Sequence, residues 1–389
     1  MNSNPSIPKL YIEHSGTFAG LTHCIDTAIQ DGAKHLLVLS CNNLSYEPVS
    51  LNQYLQRLSI PIFGGLYPGL ILEDALIERG SIVCSLPGVA SSFCLQEVSA
   101  TAPDFLASLQ PYTDTVTPND TLLLLVDACS QNLMTLLDNL YELTGDMQCQ
   151  YMGGGAGFTD FSHQPCLFSN QGLLIDSALL VRITQPVQIT IEHGWRKIAG
   201  PFVITGSDEN VITSLNYRPA LEIFSEAVAL DCGLQFNPES DVFKPFFQAY
   251  CLGLARLQGE ITLREPLYTE NGSIICAGAV PTNHMLYIMQ ATPTDLLDAT
   301  DRCLNALMAQ TDPPPYRLGL LFSCIGRILF LAETAQQELA TLRQHLPAQI
   351  PLIGALTVGE IADPGNVCLE FLNKTLVLGM IKQAEANAA

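Results

Sequence analysis

Positive charge is scarce in this sequence. It has 17 Lys and Arg residues against 38 Asp and Glu, which gives a formal net charge of −21. A surface this acidic repels phosphate backbones and anionic lipids, so nucleic acid and membrane partners are not expected. Long apolar runs are also missing, because segments such as residues 122–126 fall far short of the roughly 20 residues that cross a bilayer. The sequence therefore predicts no membrane span.

Paired cysteines are missing as well, although the chain has 13 cysteines. Their number is odd and no C-x-x-C motif occurs, which is typical of reduced core residues in a cytoplasmic protein and argues against a structural zinc site. Residues 1–5 (MNSNP) have neither the basic region nor the apolar core of a signal peptide, which also favours a cytoplasmic location.

Apolar residues are abundant and follow a pattern that occurs three times. Of the 389 residues 48% are hydrophobic, which excludes a disordered chain, and the length predicts two domains, with three as the alternative. In each copy an apolar run ends at a cysteine, an amphipathic segment follows, and a second apolar run ends in glycine. The first runs end at Cys41, Cys129 and Cys324, and the glycine-ended runs are 60–65, 151–155 and 350–354.

Each copy predicts a β-α-β unit. The amphipathic segments 51–58, 133–143 and 334–346 space their leucines as one face of a helix does. Continuous apolar runs are typical of strands that are covered on both faces. A further strand is predicted after each copy, at 81–84, 178–183 and 375–380. The chain is therefore predicted to have an α/β fold, with repeated β-α-β units that form mixed sheets with flanking helices.

Other segments fill the space between the copies. Residues 102–119 and 311–315 are rich in turn-forming residues and are predicted to be connectors. Residues 188–213 alternate as strands do, and 219–229 and 293–308 are predicted to be helices. Residues 273–290 are predicted to form a hairpin.

The densest glycine run is Gly153-Gly154-Gly155-Ala156-Gly157, and it follows a predicted strand. Glycine permits positive φ angles and exposed amides, which bind anionic ligands in such loops. A tight turn without a ligand is the other interpretation. The spacing matches neither a Walker loop nor a dinucleotide fingerprint.

Two segments of the third copy carry polar chemistry, 323–327 (SCIGR) and 357–361 (TVGEI). A thiol beside Arg327 and a helix N-terminus is predicted to have a lowered pKa, and the arginine is suited to a carboxylate ligand. A buried cysteine with a structural arginine is the alternative. Glu360 is predicted to meet Arg327, either as a structural ion pair or as part of a ligand site. The candidate ligand-binding residues are Gly153, Gly154, Gly155, Cys324, Gly326, Arg327, Thr357, Gly359 and Glu360; no catalytic residue is assigned.

His193-Gly194-Trp195 contains the only tryptophan of the chain. A histidine at the end of a strand is a candidate ligand for a metal or for haem iron, and Trp195 is suited to the wall of an apolar pocket. A histidine with a purely structural role is the alternative.

The residues resemble the FIST family, a sensory module of bacterial signal-transduction proteins. In the amino-terminal half the resemblance rests on the glycine run, His193-Gly194-Trp195, Gly200-Pro201 with Thr205, and Pro219-Ala220. In the carboxy-terminal half it rests on Arg264, Gly272, Gly278, residues 322–327, Gly354, residues 357–361 and Asn373-Lys374-Thr375. The chain departs from the family pattern at Phe158, which precedes Asp160 where an acidic residue is usual.

The resemblance implies two domains, FIST N over residues 1–225 and FIST C over 226–389, and a ligand sensor in place of a classical enzyme. Residues 63–70 (FGGLYPGL) look like the segment of stand-alone members that bind haem b, sense nitric oxide and act on a histidine kinase. His193 is then the implied haem and metal ligand, with Trp195 beside it, because both lie in a family motif. Other members are thought to sense small molecules such as amino acids.

Three functions are therefore weighed. The first is a cytoplasmic sensor, with haem and nitric oxide as its ligands and a histidine kinase or other signalling protein as its partner. The second is a sensor of an amino acid or another small anionic metabolite, recognised through Arg327. The third is a thiol-dependent enzyme or redox switch centred on Cys324. The pocket is expected at the carboxyl ends of the repeat strands, where open α/β sheets bind ligands.

Overall fold

The structure is a computed structural model that describes residues 8–44, 46–233, 244–256, 261–309, 316–363 and 368–383. The predicted linker at 311–315 and the amino-terminal residues 1–5 lie outside the described residues. No helix in the described ranges is both long enough and apolar enough to cross a membrane.

Helices and strands alternate along most of the described chain. The α-helices are α1 Phe18–Gln30, α2 Pro48–Leu55, α3 Phe105–Thr113, α4 Leu133–Thr144, α5 Ala220–Cys232, α6 Lys244–Ala249, α7 Pro293–Met308, α8 Ile325–Leu331 and α9 Ala335–His345. The strands are β1 Leu10–Glu13, β2 Leu36–Cys41, β3 Ile62–Tyr67, β4 Leu70–Leu72, β5 Ala75–Ile77, β6 Ser81–Ser85, β7 Val89–Gln96, β8 Thr121–Asp127, β9 Gln150–Ala156, β10 Leu167–Ser169, β11 Gly172–Leu174, β12 Ser177–Ile183, β13 Val187–Glu192, β14 Arg196–Asp208, β15 Val211–Leu215, β16 Arg218–Pro219, β17 Tyr250–Ala255, β18 Ile261–Arg264, β19 Pro266–Glu270, β20 Ser273–Cys276, β21 Met285–Gln290, β22 Tyr316–Cys324, β23 Leu352–Thr357, β24 Glu360–Ala362, β25 Glu370–Leu372 and β26 Leu376–Lys382.

The three copies of the sequence pattern fold as the same unit. Each has an edge strand, a helix, a central strand, a second helix, a strand parallel to the central one, a hairpin and an antiparallel return strand. The parallel pairs β2–β3, β8–β9 and β22–β23 confirm the predicted β-α-β repeat. The units are β1-α1-β2-α2-β3-(β4-β5)-β6, β7-α3-β8-α4-β9-(β10-β11)-β12 and β13-α7-β22-α9-β23-(β24-β25)-β26.

Each unit contributes its hairpin to the sheet of another unit. The first unit's β4–β5 pairs with β23 of the third, the third unit's β24–β25 pairs with β9 of the second, and the second unit's β10–β11 pairs with β3 of the first. The exchange is therefore a closed cycle of three units with the same topology. Three six-stranded sheets result, and each contains strands from two units.

One glycine position is shared by all three units. Gly64, Gly153 and Gly354 each lie in the strand that is parallel to the central strand, opposite the middle of an exchanged hairpin. A Cβ atom at any of them would fall on a carbonyl oxygen of the neighbouring central strand. The glycine that ends each sequence pattern is therefore required by close strand packing. The carbonyls concerned are those of Val38, Leu124 and Leu321.

The apolar strands are covered on both faces, as the continuous runs predict. One face of each of the three sheets packs into a shared core, through residues such as Met152, Phe322 and Ile353. Helices cover the outer faces, where Leu136, Leu137 and Leu140 of α4 and the apolar faces of α7 and α9 are buried. At about 1.5–3 kcal/mol per buried large side chain, this two-sided burial is the main favourable contribution to folding.

A fourth sheet is inserted into the third unit, between β13 and α7. It consists of the eight strands β14 to β21 and packs against α5. The strands predicted within 188–213 are confirmed as β13, β14 and β15, and the helices predicted at 219–229 and 293–308 are confirmed as α5 and α7. The hairpin predicted at 273–290 is wrong. Strand β20 pairs with β15 and β19, whereas β21 pairs with β14 and β17. The predicted domain boundary at 225/226 falls inside α5 and stays a prediction.

The predicted connector at 102–119 also needs correction, because it contains α3. This helix begins after Asp104, whose carboxylate accepts the amide of Ala107 at 3.0 Å, and it has Pro111 in its interior. It occupies the place that α1 and α7 hold in the other units. The proline and the polar residues of this segment are typical of a connector, so the sequence did not indicate a helix. The helix is stabilised by packing on the sheet.

Candidate functional site

A cavity of about 390 Å³ lies where the second and third units meet the inserted sheet. The second unit contributes Ala128 and Cys129, which follow β8, together with Phe161. The third unit contributes Cys324 at the end of β22 and Val358 and Gly359 after β23. The cavity is therefore at the carboxyl ends of the repeat strands, where a ligand pocket is expected from the sequence. The remaining lining residues are Asn210, Glu265, Leu267, Tyr268, Ile275, Cys276, Ala277, Gly278, Ile325, Phe371 and Asn373.

Most of the glycine run, from Gly153 to Ala156, lies within β9, and Gly157 follows the strand. Gly155 donates its amide to the carbonyl of Gly359 at 2.8 Å and accepts the amide of Val358 at 2.9 Å. Gly153 and Gly154 are buried between β8 and β24. These amides are committed to the sheet, so the anion-binding interpretation of the run is wrong. The run instead permits the loop of the third unit to lie against β9 and to bring Gly359 to the cavity.

Cys324 is buried at the end of β22 and precedes α8. Burial raises the pKa of its thiol well above the ordinary value, and the nearby carboxyl groups of Glu360 and Glu265 raise it further. The prediction of a lowered thiol pKa is therefore wrong. The cause is that Arg327 is paired with Glu338 on α9, away from the thiol, and the nearby Lys374 lowers the pKa by less than burial and the two carboxyl groups raise it.

Arg327 is fully buried in a polar network that does not line the cavity. Its guanidinium donates to Glu338 of α9 at 2.7 and 3.0 Å, to the carbonyl of His193 at 2.5 Å and to the carbonyl of Leu296 in α7 at 2.9 Å. The predicted ion pair with Glu360 is therefore wrong, since Glu338 is the partner. The arginine is fully buried and paired with Glu338, so a ligand carboxylate has no access to it.

Glu360 is buried among hydroxyl and thiol groups. Its carboxyl accepts from the hydroxyls of Thr357 at 2.7 Å and Thr375 at 2.6 Å, and from the amide of Thr375 at 3.2 Å. Burial raises its pKa to about 8, although these hydrogen bonds and one from Cys324 act in the opposite direction. The Thr357 hydroxyl also reaches the carbonyl of Ser323 at 3.3 Å, so it has an acceptor when Glu360 is protonated.

Glu265 and Lys374 form an ion pair at the cavity wall that the sequence-based prediction missed. Lys374 Nζ lies 2.8 Å from Glu265 Oε1, and the lysine is fully buried. Gly326 is a glycine because the Glu265 carboxylate occupies the space of its missing side chain. Lys374 belongs to the Asn373-Lys374-Thr375 motif of the family resemblance, which gives it no role. Glu265 gave no signal except its position beside Arg264 of the same resemblance.

His193 and Trp195 do not line the described cavity. The His193 ring accepts the amide of Trp195 at Nδ1, with a distance of 2.9 Å. Burial and the neighbouring Arg327 lower its pKa to about 4, so the ring is neutral and its single proton is on Nε2. Trp195 packs between Phe330 and Lys374, whose Nζ lies 5.4 Å from a ring centroid.

This geometry does not fit a haem or metal ligand. A histidine binds a metal through a nitrogen that carries no proton, and here Nδ1 is occupied by a backbone amide while Nε2 is protonated. In addition, the described ranges contain no group of three or more His, Cys, Asp or Glu side chains that could hold a metal ion.

Comparison with known proteins identifies the family to which the chain belongs. Two uncharacterized proteins of Mycobacterium tuberculosis, one from each of two strains, are 27% identical to it over 207 residues, which is 50% of this chain and 51% of each relative. The chain thus spans about half the length of these curated relatives. The model of the FIST N domain matches residues 35–218 and that of the FIST C domain matches 220–363, so together they cover most of the chain. The chain therefore belongs to the FIST family.

Proposed function

We propose that this protein is a small-ligand sensor whose ligand occupies the cavity between the second and third units. FIST domains are associated with small-ligand sensing in signal transduction. The observation that carries the proposal is that residues of the family resemblance converge on one cavity from remote positions in the chain. Cys324, Gly359 and Asn373 line it, and Lys374 lies directly behind Glu265.

The surroundings of α8 support a route for the signal. On one side Gly326 contacts the Glu265 carboxylate at the cavity wall. On the other side Arg327 joins α8 to α7, α9 and the loop at His193. A ligand that prefers one position of α8 would shift the balance between two states of this network. A cytoplasmic histidine kinase or another signalling protein that contacts only one state would then respond.

Binding at the cavity can be tested with a matched pair of variants. Ala277→Leu fills the cavity, whereas Ala227→Leu makes the same change in a groove of about 500 Å³ beside α5. In a thermal-shift screen of metabolites, a ligand at 100 times its Kd adds about 2.7 kcal/mol, which raises the Tm by a few degrees. The shift should persist in Ala227→Leu and disappear in Ala277→Leu. A shift that both variants retain would place the ligand elsewhere.

The haem and nitric-oxide version is the second candidate, and residues 63–70 support it only through their resemblance. His193 opposes it, because its ring would have to give up the Trp195 hydrogen bond and move its proton. We expect reconstitution with haem to give no Soret band that depends on His193. A Soret band that is lost in His193→Ala and changes with nitric oxide would reinstate this version.

The other two candidates have less support. Recognition of an anion by Arg327 would require the arginine to leave its buried network with Glu338. A thiol reaction at Cys324 would require a thiolate, and burial raises the pKa of that thiol. Neither residue is prepared for these roles.

A further inference from the structure

Two asparagines that line the cavity have side-chain amides whose orientation is fixed by backbone carbonyls. Asn210 donates its Nδ2 to the carbonyl of Cys276 at 2.9 Å, and Asn373 donates its Nδ2 to the carbonyl of Leu372 at 3.0 Å. A carbonyl can only accept, so these bonds fix the orientation of both amides. Each asparagine therefore has its oxygen left for other contacts, and that of Asn373 also receives the amide of Glu265 at 3.4 Å.

The lining of the cavity carries negative charge. Among the described residues that line the cavity, Glu265 is the only Asp, Glu, Lys or Arg. Two cations lie behind the wall, and both are engaged: Lys374 contacts Glu265 and the carbonyl of Gln248, and Arg264 donates to three backbone carbonyls at 2.9–3.0 Å. A ligand carboxylate would meet the Glu265 carboxylate and no lining cation.

The rest of the lining is apolar and aromatic. Phe161 and Tyr268 are half-exposed, and Phe371 lies against Gly359. Aromatic faces attract cations within about 6 Å of the ring centroid. A volume of about 390 Å³ is in the range of pockets that bind small organic molecules.

We infer that the cavity binds a small primary amine with an apolar body. The ammonium donates to the Glu265 carboxylate and to the oxygens of Asn210 and Asn373, and the apolar part packs against the aromatic rings. This inference rests on the proposed function, because it names the ligand class of the same cavity. It excludes free carboxylates and phosphates as the main recognised group.

The test compares amines with matched acids and alcohols. Isobutylamine, cyclohexylamine and phenethylamine are titrated calorimetrically into the full chain, each beside the carboxylate and the alcohol with the same hydrocarbon group. At least one amine should bind at least tenfold more tightly than its matched acid and alcohol. Its affinity should fall at least tenfold in Glu265→Gln, because a charge-assisted hydrogen bond is lost. Equal or tighter binding of the acid or alcohol, or binding of no amine, would overturn the inference.

A second variant covers the case in which Glu265→Gln does not fold, since that change leaves Lys374 buried without its partner. Glu265→Gln combined with Lys374→Met removes both charges and should also bind the amine at least tenfold less tightly. Unchanged affinity in the double variant would contradict the inference. An acid or alcohol whose binding Ala277→Leu abolishes would leave the proposed function standing while this inference fails. If no compound of a broad screen binds in the cavity, both fail.

Discussion

Replacing Glu360 by glutamine should remove a pH dependence from the stability of this protein. The side chain is fully buried, and among the described residues it has hydroxyl, amide and thiol donors around it but no ion-pair partner. Burial raises its pKa from the ordinary 4.5 to about 8. Between these values the folded state keeps a proton that the unfolded state releases.

The sign and the size of the effect follow from this difference. The contribution of Glu360 to folding is fully present below pH 4.5 and is lost as the pH rises to about 8. At about 1.4 kcal/mol per pH unit, the difference between the pKa values of 4.5 and about 8 corresponds to roughly 5 kcal/mol of folding free energy. Glutamine can make the same hydrogen bonds, with its amide donating to Thr357 and its oxygen accepting from Thr375, and it does not ionise. The native chain should therefore lose that amount of stability relative to Glu360→Gln over this range.

Urea unfolding at a series of pH values from 5 to 8.5, followed by the fluorescence of Trp195, measures the difference directly. Other titrating groups contribute equally to both proteins, so they cancel in the comparison. Glu370→Gln is the control, because it removes a buried carboxylate that Arg256 holds at 2.8 Å and should destabilise the protein at every pH. Parallel profiles for the native chain and Glu360→Gln would refute the reasoning.

Three further results are expected. Glu338→Ala leaves Arg327 as a buried charge without its partner and should lower the free energy of unfolding in urea by about 3–5 kcal/mol. Arg327→Met combined with Glu338→Leu should recover most of that loss, and an equal loss of stability in the single and the double variant would contradict this. Gly153→Ala should cost at least about 2 kcal/mol in thermal unfolding because its Cβ overlaps a strand carbonyl, while Gly233→Asn, at a left-handed helix end with open space around it, should cost little. At pH 7.5 iodoacetamide should label Cys324 only after unfolding, because burial raises the pKa of its thiol; rapid labelling of the native protein, detected by mass spectrometry, would contradict the buried site.

The strands of the repeated unit could be predicted because burial on both faces leaves a direct signal in the sequence. Leucines that fill β8 without alternation point to a strand with helices on one side and other sheets on the other. The hairpin partners could not be predicted in this way. Ile71 pairs with Gly354 across most of the chain, and nothing in a local window links them.

The site was predicted in part for the same reason. Its location followed from strand ends, but the partners of its charged residues depend on which side of a short helix each residue faces. Arg327 follows Gly326 directly, yet Gly326 faces Glu265 at the cavity wall whereas the Arg327 side chain reaches Glu338 of α9. The sequence of α9 does carry a signal for the ion pair, because Glu338 lies on the same buried helix face as Ala335 and Leu339. An acid on an apolar helix face requires a buried cation.

The closed exchange of hairpins has a further consequence for how this protein carries its chemistry. It is the arrangement of a cyclic trimer in which every subunit lends a hairpin to a neighbour, except that one chain supplies all three subunits. In a trimer of identical chains every substitution appears three times, so its clefts must remain alike. A single chain is free of that constraint. Here the inserted sheet, Glu265 and Lys374 occur in the third unit alone, and one boundary between units has become different from the other two.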